Sequence, residues 1–583
     1  MNYYTDEVNV QILIALLKAY NIKQIIASPG TTNSSFVASV QFDRFFNVIS
    51  CVDERSAAYM ACGMVYEMNE PVVITCTGAT ASRNYFPGIT EAYYRKLPVL
   101  AVTGTQVLSK VNHLTAQVID RSVQPKDSYR YSVTLPVIKD KNDVSVIETT
   151  ASTAILELFR QGGGPVHINL ETAYNRSFTT KGLPHVRALK RFETWNELPS
   201  IENKRIAVFI GSHKTFTASE TSAIETFCES HNAVVIHDHT SGYYGKYRVN
   251  MSLVASQKYQ SRDSYTPDIL IHIGEVSGDY PSMRIGGKEV WRVNPDGEIR
   301  DTFKKLRYVF EMPEEEFFKR YTSTEKMEMT YYHHCVDLDK EVRSKLPDLP
   351  FSNIWLASQL AHKLPQNAVI HFGILNSLRS WNLFPLPDVV RSSSNVGGFG
   401  IDGGMSTLIG ASLAKPDKLY YLVIGDLAFF YDMNCLGNRH VGKNLRILLV
   451  NNGRGTEFRQ YEHHTSHFGN DADDFIAAAG HFGNKSPDLV KNYAQALGFT
   501  YLAASTKEDV TSVAEIFTDP NQNDSSIIFE VFTDSLLESK ALEYSMNIMT
   551  DSSERRKDDA KQFAKKILGT KGIEIAKKMK SHL

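Results

Sequence analysis

Two apolar runs late in the chain each end in a polar turn, with a helix-length segment between them. They are Tyr421-Leu-Val-Ile-Gly425-Asp426 and Ile447-Leu-Leu-Val-Asn451-Asn452-Gly453. Runs this short and this apolar read as strands buried on both faces, which in a chain alternating strands with helices means a parallel sheet. The first turn offers a carboxylate and the second an amide oxygen. Together they suit a hard divalent cation that keeps its other ligand positions for phosphate oxygens and water. Gly425 lets the backbone come close to a diphosphate. No Gly-x-x-x-x-Gly-Lys-Ser/Thr run is present, so this is not a P-loop.

The same alternation recurs along the chain. Ile22–Ala27 runs into Ser28-Pro29-Gly30, followed by Phe46–Val52, Pro71–Cys76, Pro98–Thr103 and Gly164–Leu170, with a helical segment around Asn84–Lys96. A polar stretch, Thr180–Asn203, reads as a linker. Arg205–Gly211, Ala233–His237, Ile269–Gly274 and Lys288–Val293 make a second α/β unit. Gly211 and Gly274 end strands there without opening a GxGxxG run, so a structural role is expected. Residues 310–350 are charged and helical. A third unit follows, with strands at Ala368–Phe372, Leu419–Ile424, Leu445–Val450 and Ile527–Val531. The expectation is an α/β protein of three doubly wound parallel-sheet domains at 1–180, 200–330 and 350–550, with a basic helical tail at 551–583. A chain of 583 residues is long enough for three cores.

Bulk composition excludes several classes. A net charge of −2 gives no basic footprint for nucleic acid. No run is apolar enough to span a bilayer, and the polar start Met1-Asn-Tyr-Tyr-Thr-Asp-Glu-Val lacks a signal-peptide pattern. Six scattered cysteines without a CxxC pair read as reduced thiols, so a cytoplasmic protein is expected.

A second polar cluster lies far upstream, where Cys51-Val-Asp53-Glu54-Arg55 passes from a strand end into a helix. A glutamate at an apolar helix start can exchange protons near neutral pH. Together with Gly425-Asp426 and Asn451-Asn452, this pattern resembles the thiamine-diphosphate enzymes of the decarboxylase/acetohydroxyacid-synthase branch, and within it the SEPHCHC synthase family. The resemblance spans most of the first and third units. It is carried by Ser28-Pro29-Gly30, Asp53-Glu54-Arg55, Cys76-Thr-Gly-Ala-Thr80, Asn84-Tyr85, Glu91-Ala-Tyr-Tyr94, Gly164-Pro-Val-His-Ile-Asn169, Gly400-Ile-Asp-Gly403 and Gly425-Asp-Leu-Ala-Phe-Phe-Tyr-Asp-Met-Asn434.

The resemblance implies a thiamine-diphosphate-binding fold in pyrimidine–middle–diphosphate order, with thiamine diphosphate and Mg2+ as cofactors. It implies that Glu54 meets the aminopyrimidine and that Gln117 reaches the reaction centre. Asp426, Asn452 and the Arg454 carbonyl would bind the metal. Gly425, Leu427, Ala428 and Asn376 would line the cofactor, and Met405 would bend it. It further implies a homodimer or dimer of dimers with the site shared between subunits.

The chain departs from this family where the family grips two acidic substrates. Its Ser-Pro-Gly-Ser-Arg is Ser28-Pro29-Gly30-Thr31-Thr32, its Ala-Asp-Arg is Gly104-Thr105-Gln106, and its Asn-Arg is Asn395-Val396. Loss of one bidentate clamp costs roughly 2–5 kcal/mol if the partner carboxylate stays buried. Substrate contacts are therefore sought at Thr31, Thr32, Asn33 and Val396, and at the new groups Arg83, Arg379, Glu457, Arg459, His463 and His464. The expected activity is decarboxylation of a 2-oxo acid, pyruvate or a relative, with transfer of the acyl-anion equivalent to a carbonyl acceptor such as a keto-sugar. A simple 2-oxo-acid decarboxylase, SEPHCHC synthase itself and an inactive thiamine-binding scaffold are the alternatives.

Overall fold

The computed structural model describes residues 3–258, 261–366, 368–480, 486–521 and 524–550. The basic tail at 551–583 lies outside them. The chain forms two compact units, Met1–Leu198 with Asn294–Met312, and Pro199–Val293 with the chain from Pro313 onward. Among the described residues nineteen strands follow in order. They are β1 Gln24–Ala27, β2 Asn47–Ser50, β3 Val72–Thr77, β4 Val99–Thr105, β5 Tyr131–Leu135, β6 Val166–Glu171, β7 Lys190–Glu193, β8 Ile206–Ile210, β9 Val234–His237, β10 Arg248–Val249, β11 Ile269–Ile273, β12 Glu289–Asn294, β13 Leu306–Glu311, β14 Val369–Phe372, β15 Arg391–Ser394, β16 Tyr420–Gly425, β17 Leu445–Asn451, β18 Thr500–Ala504 and β19 Ile527–Phe532.

The first unit holds a sheet of order β2-β1-β3-β4-β6-β5. Its central strands β3, β4 and β6 are buried along their whole length, as expected where helices cover both faces. The helices are α1 Val8–Ala19, α2 Ser34–Val40, α3 Glu54–Met68, α4 Thr80–Asn84, α5 Phe86–Tyr94 and α6 Lys141–Glu157. One core joins α1 and α6 through Leu13, Leu16, Leu17, Ala151 and Ile155. The other packs α3 and α5 on the sheet through Ala57, Ala61, Ile89 and Ala92. The second unit holds the order β10-β9-β8-β11-β12 and a third sheet, β15-β14-β16-β17-β19-β18. Strand pairing in all three sheets is parallel.

The stretch expected as a linker contains β7, which pairs in parallel with β13 inside the first unit. Ion pairs hold it alongside aromatic packing, with the Phe192 ring stacked on Phe310 at 5.2 Å. Arg191 bonds Glu157 at 2.8 Å and lies 3.7 Å from Glu311, which also receives Arg160 at 3.1 Å. Arg187 reaches Asp301 at 2.7 Å. Charged side chains hid this strand from a reading based on hydrophobic runs.

All six cysteines are free. No helix among the described residues is long and apolar enough to cross a membrane. Within the third sheet, Ile447 is fully buried in the central strand β17. Replacing Ile447 by Ala removes that packing and is expected to destabilise the second unit by ~2–5 kcal/mol. The check is a lower urea midpoint with an unchanged slope.

Candidate functional site

Strands β16 and β17 lie side by side, with Gly425 opposite Val450. Their carboxyl ends therefore open onto the same edge, where ligands bind in open parallel sheets. Asp426 begins the helix Asp426–Asp432 and is 3% exposed. Its Oδ1 accepts the Leu427 N–H and its Oδ2 the Gly453 N–H, both at 2.8 Å. Burial pushes this carboxyl up to about 6 even though backbone N–H groups bond it. No lysine, arginine or histidine among the described residues pairs with it. Across the turn, the Asn452 Oδ1 is buried and has no hydrogen-bond partner. A carboxylate without a counter-charge beside an amide oxygen without a donor is what a hard cation completes.

A cavity of about 170 Å³ opens on these groups, lined among others by Asn376, Gly425, Leu427, Ala428, Asn452 and Glu457. A Cβ added at Gly425 would meet nothing within 4 Å, so the backbone there faces open space. The turn is braced from below. The buried Glu530 on β19 accepts from Asn451 Nδ2 and from the Tyr501 hydroxyl, each at 2.8 Å. Asn451 Oδ1 in turn receives the Gly453 N–H at 3.3 Å. The Arg454 side chain turns away to both oxygens of Asp473 at 2.8 Å, and its carbonyl accepts the Thr456 N–H at 2.9 Å.

In the first unit, Glu54 opens α3, whose start is capped by Asp53 accepting the Arg55 N–H at 3.1 Å. Asn84, at the end of α4, donates to Glu54 Oε2 at 3.1 Å. Large apolar groups are exposed on and around α3 and α5: Val52, Tyr59, Met60, Tyr66 and Tyr94. Gln117 sits on an exposed loop with a left-handed φ of 64°, after further left-handed residues at Asn112 and Leu114.

Residues 9–123 match the family model for the thiamine pyrophosphate enzyme N-terminal TPP-binding domain. The chain is 28% identical over 560 residues to a 2-succinyl-5-enolpyruvyl-6-hydroxy-3-cyclohexene-1-carboxylate synthase of Bacteroides fragilis, covering 91% of this chain and 97% of that one. It is 29% identical over 556 residues to the synthase of that name from Phocaeicola vulgatus, covering 91% and 96%. A Flavobacterium johnsoniae synthase is 27% identical over 474 residues, covering 77% and 84%.

The first unit carries the N-terminal TPP-binding domain of the thiamine pyrophosphate enzymes.

Several residues sought as substrate contacts have other work. Thr32 and Asn33 are buried. The Thr32 hydroxyl bonds Thr77 Oγ1 and the Gly104 carbonyl at 2.8 Å, and Asn33 donates to the Ser28 carbonyl at 3.0 Å. Both pin strand-end loops that approach so closely that a Cβ at Gly104 would sit 2.3 Å from the Thr32 carbonyl oxygen. Thr31 is exposed. Val396 is buried, close to Gly278. Met405, expected against the cofactor, is fully buried in the core with Ile424 and Phe429 and is not among the residues lining the cavity.

Arg379, Glu457 and His463 do converge. They line a second cavity of about 240 Å³ with Tyr280 and Tyr461, and Asn376 and Glu457 line both cavities. Arg379 is ion-paired with Glu457 and lies 5.0 Å from the Tyr280 ring centre. With its amide oriented to satisfy both partners, Asn376 donates to Glu457 at 2.6 Å and accepts its N–H at 3.0 Å. Arg459 is spent on Asp473. Burial lowers the His463 pKa, and His463 bonds the Thr465 hydroxyl at 2.8 Å. His464 is exposed and packs on His463 at 4.4 Å.

Sequence reasoning passed over Glu538, which no local motif marks. It lines the 170 Å³ cavity, receives the Asn353 N–H on both oxygens at 3.0 Å and takes the Thr533 hydroxyl at 2.7 Å. Burial pushes its carboxyl from 4.5 to about 7. The folded protein therefore keeps a proton that the unfolded chain releases. This contribution to stability is complete below pH ~4.5 and disappears as pH rises to about 7. Relative to Glu538→Gln, the wild type is expected to lose stability across that window and run parallel above it. Urea midpoints of both proteins against pH provide the measurement.

Proposed function

We propose that this enzyme uses thiamine diphosphate and Mg2+ to decarboxylate a 2-oxo acid and transfer the acyl-anion equivalent to a carbonyl acceptor. The observation that carries the cofactor half is the unpartnered Asn452 Oδ1 beside the buried, uncompensated Asp426 carboxylate. Asp426, Asn452 and the Arg454 carbonyl hold the metal in this reading. Ala428 presents its backbone N–H to the diphosphate at a helix start, while the Leu427 N–H is held by Asp426 Oδ1 and Leu427 lines the cofactor cavity beside it. The bound cofactor supplies the carbanion chemistry, and the protein supplies orientation and electrostatics.

Glu54, whose carboxylate accepts from Asn84, would hold or release the proton facing the aminopyrimidine of a bound cofactor. Gln117 reaches the reacting atoms from its left-handed loop. In this family Glu54 and the metal turn come from different subunits, so the working form is a homodimer or a dimer of dimers.

The acceptor is uncharged or polyhydroxylated, with a keto-sugar as the model. Threonine, glutamine and valine stand where the synthase family places arginines, and the Arg379 charge is already matched by Glu457. A second reading, in which the chain performs the reaction named for its relatives, draws on similarity that runs through 96–97% of two of those proteins.

Purified enzyme given pyruvate and a panel of sugar-derived ketones should release CO2 with formation of a ligated product. CO2 release with free aldehyde alone would point to a simple decarboxylase instead. Product from isochorismate and 2-oxoglutarate would favour the second reading. Glu54→Gln is expected to lower turnover at least ~100-fold. It should leave the circular-dichroism spectrum and the urea midpoint unchanged. Full activity in that variant would remove Glu54 from the mechanism.

A further inference from the structure

The strand ends of the first sheet carry a second concentration of charge. Arg121 follows the Gln117 loop and runs inward until it is 8% exposed. It donates through Nη1 to Thr103 Oγ1 on β4 and through Nη2 to Asn169 Oδ1 on β6. Both acceptors are neutral, and no described carboxylate lies within ion-pair distance. A buried guanidinium is ordinarily paired, because an uncompensated charge in a poorly solvated site is costly.

Arg83 on α4 comes to the same place and has one long contact, 3.5 Å to the Asp120 carbonyl. Arg83 and Arg121 line one cavity of about 30 Å³, together with Ser82, Gln124, Tyr129 and His167. That is room for about two water-sized groups. Burial first, and Arg83 as a like charge, push Arg121 down to about 10. His167 adds no charge, since burial and Arg121 hold it neutral at about 3. Neighbouring carboxylates are engaged elsewhere, Asp120 with Ser122 at 2.6 Å and Asp127 with Tyr94 at 3.2 Å.

A purely structural arginine accounts for the bonds from Arg121 to Thr103 and Asn169. It does not account for a second, water-exposed arginine brought to line the same polar cavity with no carboxylate between the two. An anion accounts for both, since it accepts the free N–H groups and removes the repulsion between the two cations.

We propose that Arg83 and Arg121 form an anion subsite that takes the carboxylate of a small organic acid. The short helix α4 ties this subsite to Glu54, because Arg83 lines the cavity while the next residue, Asn84, holds the Glu54 carboxylate. That the acid is the 2-oxo-acid donor rests on the decarboxylating reading above; the subsite itself does not.

The test is thermal unfolding of the full-length chain, with and without thiamine diphosphate and Mg2+. Sodium 2-oxoglutarate, pyruvate, acetate and chloride are titrated at matched ionic strength. A carboxylate is expected to raise the unfolding temperature saturably, while chloride at the same concentration does not. Arg83→Gln, at an exposed position that tolerates change, should weaken half-saturation by about tenfold, and Arg83→Lys should restore part of it.

Equal responses of wild type and Arg83→Gln would overturn the proposal, as would no carboxylate response in the wild type. An equal response to chloride would reduce the subsite to a general anion hole and remove the carboxylate assignment. Because the readout does not need turnover, a failed ligation assay leaves it intact, and a failed titration leaves the decarboxylating reading intact.

Discussion

Desolvation of one carboxylate organises the third sheet. Asp426 leaves water at the end of β16 and meets only backbone N–H groups, which do not neutralise it. Removing a charge from water without an opposite charge costs several kcal/mol, so the folded chain must either protonate it or supply a cation. Its raised pKa records that tension. In the neighbouring turn Asn452 buries an amide oxygen and gives it no donor, which suits a cation shared with Asp426 under the proposed function. Glu530, Asn451 and Tyr501 then fix the turn from the buried side. An uncompensated carboxylate at Asp426 and an unpartnered amide oxygen at Asn452 both cost stability, the arrangement expected where function and folding compete.

How much of this could be read from the chain depended on what each element used to hold itself in place. The central strands β3, β4, β16, β17 and β19 were legible because apolar side chains on both faces announce them. β7 was not, because Arg191, Glu157, Arg160 and Glu311 hold it through ion pairs and leave a sequence that looks like a linker. The polar edge strand β15, Arg-Ser-Ser-Ser, and the partly exposed β18 were missed for a related reason. Edge strands bury little, so little in their composition sets them apart from loops.

The candidate site divides along similar lines. Asp426, Asn452 and Glu54 occupy turns whose position follows from the strands before them, so a local pattern suffices to place them in the fold. Thr32 and Asn33 show the limit of that approach. Position in a motif says where the backbone goes, not whether a short polar side chain faces the ligand or a neighbouring loop. Here the close approach at Gly104 leaves room only for the second. Glu538 and Arg121 were invisible because their partners lie far along the chain: Asn353 is 185 residues from Glu538, and Asn169 is 48 residues from Arg121. No window of sequence contains both halves of such a contact.

The arginines near the candidate sites sort into two kinds, and the sorting bears on selectivity. Arg379 is matched by Glu457, while Arg454 and Arg459 share Asp473. Arg379 is compensated one to one, whereas Arg454 and Arg459 share a single carboxylate, so an anionic ligand gains least at Arg379, where it would have to break a part-buried pair whose abandoned carboxylate would repel it. Arg83 and Arg121 face neutral acceptors only. A negatively charged group therefore gains most at the strand ends of the first sheet and least around Arg379. By the same electrostatics, the cavity shared by Arg379, Tyr280 and His463 favours a neutral, hydrogen-bonding molecule over an acid. Specificity in this arrangement comes from which arginines the protein has already paired with its own carboxylates, not from how many it carries.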